Sequence, residues 1–234
     1  MRLLISLATY NEIENLPVIT EEIFSVVPDA DILIIDDNSP DGTGNWVSEK
    51  MKSENRLKYI PRSGKLGLGT ATIEAMKYAV ENGYDYLLNM DADLSHQPRY
   101  IPVIYRKAEE GFDVVIGSRY VSGGGTENWS FTRRLMSRCI NLYARILLGL
   151  KTQDNSGAFR CYKTEALKKI DFGKIMSNGY SFCEEVLFHL KKTGASFAEV
   201  PIIFIDRRFG SSKINYKETL NALWILLRLG IFGR

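Results

Sequence analysis

The stretch "YDYLLNMDADLSHQP", residues 84 to 98, decides the reading of this chain. An apolar run reads as a buried strand, and it stops abruptly at two aspartates one residue apart, Asp91 and Asp93, with a proline close behind. At a turn just past a strand end both carboxylates face the same way and offer hard oxygen ligands that suit Mg²⁺ or Mn²⁺. Asp and Ser also favour turns and helix caps. D-x-D is short and common, so the spacing alone leaves a turn cluster and a metal site both open.

Working outward, four further apolar, β-branched runs recur: "RLLISLAT" at 2 to 9, "ADILIIDD" at 30 to 37, "RLKYIP" at 56 to 61 and "FDVVIGSR" at 112 to 119. Helical patterns lie between them. "NEIENLPVITEEIFSVV" places Ile13, Leu16, Ile19, Ile23 and Val27 near helical period, and "GTATIEAMKYAVENG" does so with Ile73, Met76, Ala79 and Val80. Strand and helix in alternation predict an α/β fold, a mostly parallel sheet with helices on both faces.

Three of the strands end in polar residues, at Thr9 to Glu12, Asp36 to Asp41 and Asp91 to Ser95. Ligands of open α/β sheets bind outside the carboxyl ends of the strands, so the three clusters converge on one crevice. Asp36, Asp37 and Asp41 supply more carboxylate than a turn needs, although "SPDG" is a good turn by itself.

After residue 120 the texture changes. "YVSGGGTENWS" reads as a glycine loop, "TRRLMSRCINLYARILLGL" as a basic, apolar helix, and "KTQDNSGAFRCYKTEAL" as a turn-rich patch. A helix "SFCEEVLFHLKKTG", a strand "FAEVPIIFIDRR", a loop "FGSSK" and an apolar terminal helix complete the chain. No repeat or linker interrupts it, and 234 residues with 45% hydrophobic content suit one domain, 1–234.

Charge is nearly balanced, with 30 Lys and Arg against 28 Asp and Glu, which excludes the strongly basic kind of nucleic-acid binder. Three scattered cysteines fit neither a disulfide framework nor a zinc site. The start "MRLLISLATYNE" reads as a first strand rather than a secretory signal. No run approaches the ~20 apolar residues of a membrane span.

Arg207 and Lys213 flank the glycine of "DRRFGSSK", where cationic groups and loop N–H groups can converge on phosphate; a solvated charged loop is the plain alternative. Arg119, Arg133 and Arg134 are further candidate anion ligands. Acidic and basic sites together suggest a nucleotide diphosphate and a second anionic substrate. "SGKLGLGTA" has neither the P-loop nor the dinucleotide spacing, and His96 and His189 sit near no arranged nucleophile, so ATPase, dehydrogenase and triad readings weaken.

Taken in order, "ATYNEIENLP", "IIDDNSPDGTG", "GKLGLGTA", "MDADLSHQP", "IGSRYVSGGG", "NWSFTRRLMSR", "DNSGAFRCYK" and "DRRFGSSK" resemble the dolichol-phosphate (polyprenol-phosphate) mannose synthases of glycosyltransferase family 2. The resemblance runs through essentially the whole chain. It implies a Rossmann-like GT-A fold, a nucleotide-sugar-binding half over 1–120 and an acceptor-side half with interfacial helices over 121–234.

The resemblance further implies that Ala8, Tyr10, Glu12, Ile35 and Asp37 surround the base and ribose. Asp91, Ala92 and Asp93 then hold the donor diphosphate and its Mg²⁺ or Mn²⁺, with Ser95 at the place of a third metal ligand in some relatives. Arg207 and Lys213 contact the phosphates, and Arg119, Arg133 and Ser137 receive the acceptor phosphate, with Asp93, Arg119 and Arg133 central to catalysis. Ala8 departs from the usual proline of "PTYNE", and Cys183 departs from the glutamine of a Phe-Gln-x-Glu stretch that ends here at Glu185.

The implied reaction is inverting transfer of mannose from GDP-mannose to dolichyl or polyprenyl phosphate, needing no dedicated base. A UDP-glucose-dependent relative or a non-catalytic nucleotide-sugar-binding subunit are the alternatives. The expected location is the cytoplasmic face of a membrane. "RRLMSRCINLYARILLGL" and "LNALWILLRLGIF" would rest on its surface, although such stripes are more often core or packed on a second subunit, and a separate membrane-anchoring subunit is a further expected partner. The chain resembles the short form without C-terminal spans.

Overall fold

The computed structural model describes residues 1–179, 181–206 and 216–233. Its central sheet has seven strands, β1 (Leu3–Thr9), β2 (Asp31–Asp36), β3 (Leu57–Pro61), β4 (Tyr86–Asp91), β5 (Val114–Ser118), β7 (Arg160–Lys163) and β8 (Phe197–Pro201). Their spatial order is β3-β2-β1-β4-β7-β5-β8. Every pairing is parallel except those of β7, which runs antiparallel between β4 and β5. A second sheet pairs β6 (Gly125–Glu127) with β9 (Ile203–Ile205).

The strands are apolar at nearly every position because both faces are covered. Alternation still sorts the side chains: Leu4, Leu33 and Ile35 enter one core, while Leu3, Ile5, Leu7, Ile32 and Ile34 enter the other. The first core is covered by α3 (Leu68–Glu81), α5 (Phe131–Leu148), α6 (Thr164–Leu167), α7 (Phe182–Lys192) and α8 (Tyr216–Phe232). The second lies under α1 (Leu16–Val26), α2 (Thr43–Lys50) and α4 (Ile101–Glu109).

Local chemistry sets the helix ends. Proline in the first turn opens α1 and α4, where the missing N–H has no partner to lose. The Ser130 side chain caps α5 by accepting from the Arg133 backbone N–H, and Gly149 ends it at φ 61°, a left-handed conformation that glycine adopts without strain.

Two expectations change. "FAEVPIIFIDRR" is not one strand: β8 ends at Pro201, which has no N–H to offer a ladder, and the ladder breaks at Ile202 before β9 joins the other sheet. Ile202 itself bonds to Ser118 and Gly125 through its backbone. The turn-rich patch at 151 to 167 contains β7, too short and too polar to read as a strand, and the glycine loop contains β6.

Candidate active site

The sheet reverses direction of winding between β1 and β4, and their ends carry the first group of candidates. Ala8 stands in register with Ile35 on one side and Asp91 on the other, so three predicted donor residues form a single row. Ala8 and Tyr10 are half-buried, and Tyr10 presents its ring to Lys65, whose Nζ is 4.9 Å from the ring centroid. Glu12 is half-buried, with its carboxylate accepting from Asn15 Nδ2 at 2.8 Å. Ile35 differs from expectation, since its side chain is core and only its backbone reaches the strand end.

Asp37 is clasped by a residue that the sequence reading passed over. Arg62 donates from Nε to Asp37 Oδ1 at 2.6 Å and pairs with it again through Nη2. Its remaining hydrogen bonds go to Thr70 Oγ1 and the Gly67 carbonyl, tying the β2 end to "SGKLGLG". Nearby, burial pushes the Asp41 carboxyl up, but hydrogen bonds from Thr43 and Ile13 outweigh it and hold the group below its ordinary range.

The glycines of "SGKLGLG" answer a packing need. A Cβ on Gly67 would stand 2.6 Å from the Asn178 carbonyl oxygen, and one on Gly69 would stand 2.8 Å from that of Ser177. Gly67 also has φ 100°. The 176–178 segment is held in turn by Glu185, which accepts from the backbone N–H of Met176 and Ser177 at 2.9 and 2.8 Å. Glu185 is thus a structural clamp behind the "SGKLGLG" segment.

The acidic turn itself is rigid. Leu94 has φ 62°, and Asp93 Oδ1 accepts from the Ser95 N–H at 3.1 Å and the Ser95 hydroxyl at 2.5 Å. Ser95 is buried and its hydroxyl serves Asp93, which leaves it poorly placed as a third metal ligand. Ala92 is buried too, while the Asp91 side chain is one-third exposed to the crevice.

Among the described residues no group of three His, Cys, Asp or Glu forms a closed metal site. The half-buried Asp91 and the buried Asp93 still offer two carboxylates that suit a Mg²⁺ or Mn²⁺ ion, which ordinarily takes one or two carboxylates and completes its shell with phosphate oxygens and water.

His96, set aside on sequence grounds, lies in contact with this turn. Its Nδ1 accepts from the Asp91 backbone N–H at 3.0 Å. Burial lowers its pKa more than the Asp91 charge raises it, so the ring is neutral. It follows Asp93 by three positions, and that proximity was the available signal.

From His96 a packed column leads to the second group of candidates. The ring stacks on Phe159 and meets Phe204 edge-on at 5.2 Å; Phe204 meets Trp129 at 5.4 Å; Arg133 lies over Trp129 at 4.2 Å. Arg119 stands 5.4 Å from the same indole. Ser137 Oγ accepts from the Tyr120 hydroxyl at 2.6 Å, so Arg119, Arg133 and Ser137 are gathered around Trp129 and Tyr120.

Arg119 is engaged edge to edge by Asp154, a residue missed in the sequence, and also donates to Ser156 at 2.9 Å. Burial would lower its pKa, but Asp154 raises it further, and the same pairing holds Asp154 below its ordinary value despite burial. Arg133 pairs with Asp206 at 2.6 Å. Arg207 and Lys213 lie outside the described residues.

Beneath the crevice, Arg160 is wholly buried and donates from Nη1 to the Cys183 carbonyl at 2.5 Å. Burial raises the Cys183 thiol to about 12 and the Glu184 carboxyl to about 7. Glu184 Oε2 has no hydrogen-bond partner among the described residues.

The sequence pattern described as Glycosyl transferase family 2 matches residues 5–171. The undecaprenyl-phosphate mannosyltransferase of Micrococcus luteus is 39% identical over 234 residues, covering all of this chain and 96% of that protein. The polyprenol monophosphomannose synthase of Mycolicibacterium smegmatis is 38% identical over the same length, covering 88% of that protein. Among solved structures, glucosyl-3-phosphoglycerate synthase of Mycobacterium tuberculosis with Mn²⁺, UDP and glucosyl-3-phosphoglycerate superposes with a TM-score of 0.65 at 16% identity. That match covers 99% of this chain and 78% of the other, and shows the shared fold.

Proposed function

The chain belongs to glycosyl transferase family 2, and from that premise we propose that it transfers mannose from GDP-mannose to a polyprenyl or dolichyl phosphate with inversion at the anomeric carbon. The observation that carries this reading is the pairing, through one aromatic column, of an acidic turn at Asp91 and Asp93 with two arginines, Arg119 and Arg133. The full-length likeness to two enzymes named for transfer to, or synthesis of, polyprenyl-phosphate mannose supports it.

Asp91 and Asp93 are the residues that would hold Mg²⁺ or Mn²⁺. A divalent ion there supplies Lewis-acid stabilisation of the departing diphosphate's charge. On the donor side, Ala8, Tyr10, Glu12 and Asp37 line the nucleotide position, with Arg62 fixing Asp37. Arg207 and Lys213 complete the reading as phosphate ligands. Arg133, Ser137 and the Arg119 edge aim the acceptor phosphate.

One acceptor oxygen forms the bond to the anomeric carbon as the bond to the nucleoside diphosphate breaks, and the bonding pair leaves with the diphosphate. A phosphate monoester with second pKa of about 6 is largely dianionic at neutral pH, so no proton has to be removed first. Neutral His96, with Nδ1 occupied by the Asp91 amide, is consistent with a site that uses no base. Catalysis is then mainly positioning and electrostatic stabilisation.

Among the described residues no helix is long and apolar enough to cross a bilayer. Helix α5 nevertheless exposes Phe131, Leu135, Met136, Leu142 and Ile146 beside exposed Arg134, Arg138 and Arg145, and α8 exposes Trp224, Arg228 and Ile231. Apolar anchors flanked by arginines suit the headgroup boundary of an anionic membrane. In this reading the protein sits peripherally on the cytoplasmic face, and the same surface would serve a separate membrane-anchoring subunit.

The deciding experiment offers purified protein one polyprenyl phosphate with GDP-mannose, UDP-glucose and other nucleotide sugars, with Mg²⁺, with Mn²⁺ and with chelator. Metal-dependent formation of polyprenyl-phosphate mannose from GDP-mannose alone is expected. Preference for UDP-glucose would move the assignment to a glucosyltransferase, and binding without transfer would move it to a non-catalytic subunit.

A further inference from the structure

Two arginines share the Trp129 ring, but their carboxylate partners differ in kind. The Arg119 and Asp154 side chains are 8% and 0% exposed and meet through two hydrogen bonds. Separating such a pair strands a buried charge, so it stays closed. The Arg133 and Asp206 side chains are 36% and 30% exposed and meet through one contact, Nη1 to Oδ2 at 2.6 Å. A half-exposed pair contributes little net stability and exchanges readily.

Each partner of the second pair is held from elsewhere. The Arg133 guanidinium lies on Trp129, and the residue is in the first turn of α5. The Asp206 N–H donates to the Glu127 carbonyl at 3.3 Å, directly after β9, whose Ile205 N–H donates to the Ser95 carbonyl at 3.3 Å. A fixed backbone thus delivers a carboxylate to an arginine that keeps its own place without it. A carboxylate oxygen on guanidinium makes the same charge-assisted hydrogen bond as a phosphate oxygen.

We propose that Asp206 is a resident counter-ion occupying the acceptor-phosphate position on Arg133, and that the incoming phosphate monoester displaces it. This rests on the reading that Arg133 receives the acceptor phosphate. Displacement makes the site selective by charge: a dianionic monoester gains over the carboxylate it replaces, whereas a monoanionic diester exchanges one charge for one. Asp206 is therefore a specificity-determining residue that favours phosphate monoesters, and it keeps stray monoanions off Arg133 between turnovers.

The test is calorimetric titration of the full chain with inorganic phosphate, a water-soluble short prenyl monophosphate and its methyl diester. Asp206→Asn and Asp206→Ala are expected to bind both monophosphates about two- to fivefold tighter, the range set by an exposed ion pair. Their monoester-over-diester preference should narrow, and the gain should vanish in an Arg133→Ala background. Glu127→Gln removes a nearby exposed charge that does not touch Arg133 and controls for general electrostatics. Unchanged or weaker binding by both Asp206 variants, or an equal gain in Glu127→Gln, overturns the proposal while leaving the acceptor assignment standing if the wild type binds the monophosphates. A wild type that binds no monophosphate and transfers no sugar overturns both.

Discussion

Arg119 and Asp154 face each other edge to edge in the interior, Nε to Oδ2 at 2.7 Å and Nη2 to Oδ1 at 2.6 Å, with the Arg119 backbone N–H adding a third bond to Oδ2 at 2.9 Å. Asp154→Asn keeps the shape but leaves a buried cation without its counter-charge. A loss of about 3–5 kcal/mol in chemical denaturation is expected. A loss under 1 kcal/mol would mean that water reaches this pair.

His96 accepts the Asp91 backbone N–H, so its removal should loosen the acidic turn proposed to hold the metal. His96→Asn keeps an acceptor atom near the Nδ1 position, whereas His96→Phe fills the space and leaves the amide unpaired, at a cost of about 1–3 kcal/mol. Mn²⁺ titration followed by electron paramagnetic resonance should show affinity about tenfold weaker in His96→Phe and largely kept in His96→Asn. Equal affinity in all three proteins would remove His96 from the site.

Glu184 carries a pH signature. Burial raises its pKa to about 7 from the ordinary 4.5, so the folded chain binds this proton more tightly than the unfolded one. Its contribution is fully present below about pH 4.5 and is lost as pH rises towards 7, by ~3 kcal/mol in all. Glu184→Gln should therefore gain on the wild type progressively between pH 5 and pH 7. A difference between the two that stays constant over that window would contradict the burial argument.

The "SGKLGLG" segment should not tolerate a methyl group at Gly67. Gly67→Ala sets a Cβ 2.6 Å from the Asn178 carbonyl at φ 100°, and both faults lie in backbone that cannot step aside cheaply. Nucleotide-sugar affinity should fall by about tenfold or more and stability by roughly 1–3 kcal/mol, the cost of a strained backbone position. Gly64→Ala, where nothing lies within 4 Å, is the matched control and should behave as wild type.

The α5 stripe can be tested apart from chemistry. Leu142→Asp with Ile146→Asp, two exposed positions, should abolish flotation with anionic liposomes while leaving transfer to a short soluble prenyl phosphate within about twofold. Unaltered flotation would place the membrane contact on another surface.

The parallel strands and the acidic turn were legible because apolar runs ending in polar clusters are local patterns. β7 was not, since its four residues owe their pairing to β4 and β5 on either side rather than to any run of their own. His96 and Arg62 were hidden differently: each acts by hydrogen-bonding a neighbour's backbone or carboxylate, and residue type alone does not announce that. Asp154 and Asp206 lie 35 and 73 residues from the arginines they meet, separations that only the folded sheet closes. The glycines of "SGKLGLG" were visible, but their partner segment at 176–178 was not.

The antiparallel strand β7 also acts as a ruler. By lying between β4 and β5 it keeps the strand that ends in Asp91 and the strand that leads into Arg119 two inter-strand steps apart, roughly 10 Å. A direct β4–β5 pairing would halve that gap and set the Asp91 and Arg119 ends side by side. With one strand interposed, the hydrogen-bond spacing of the sheet, rather than any side chain, sets how far apart these two strand ends stand.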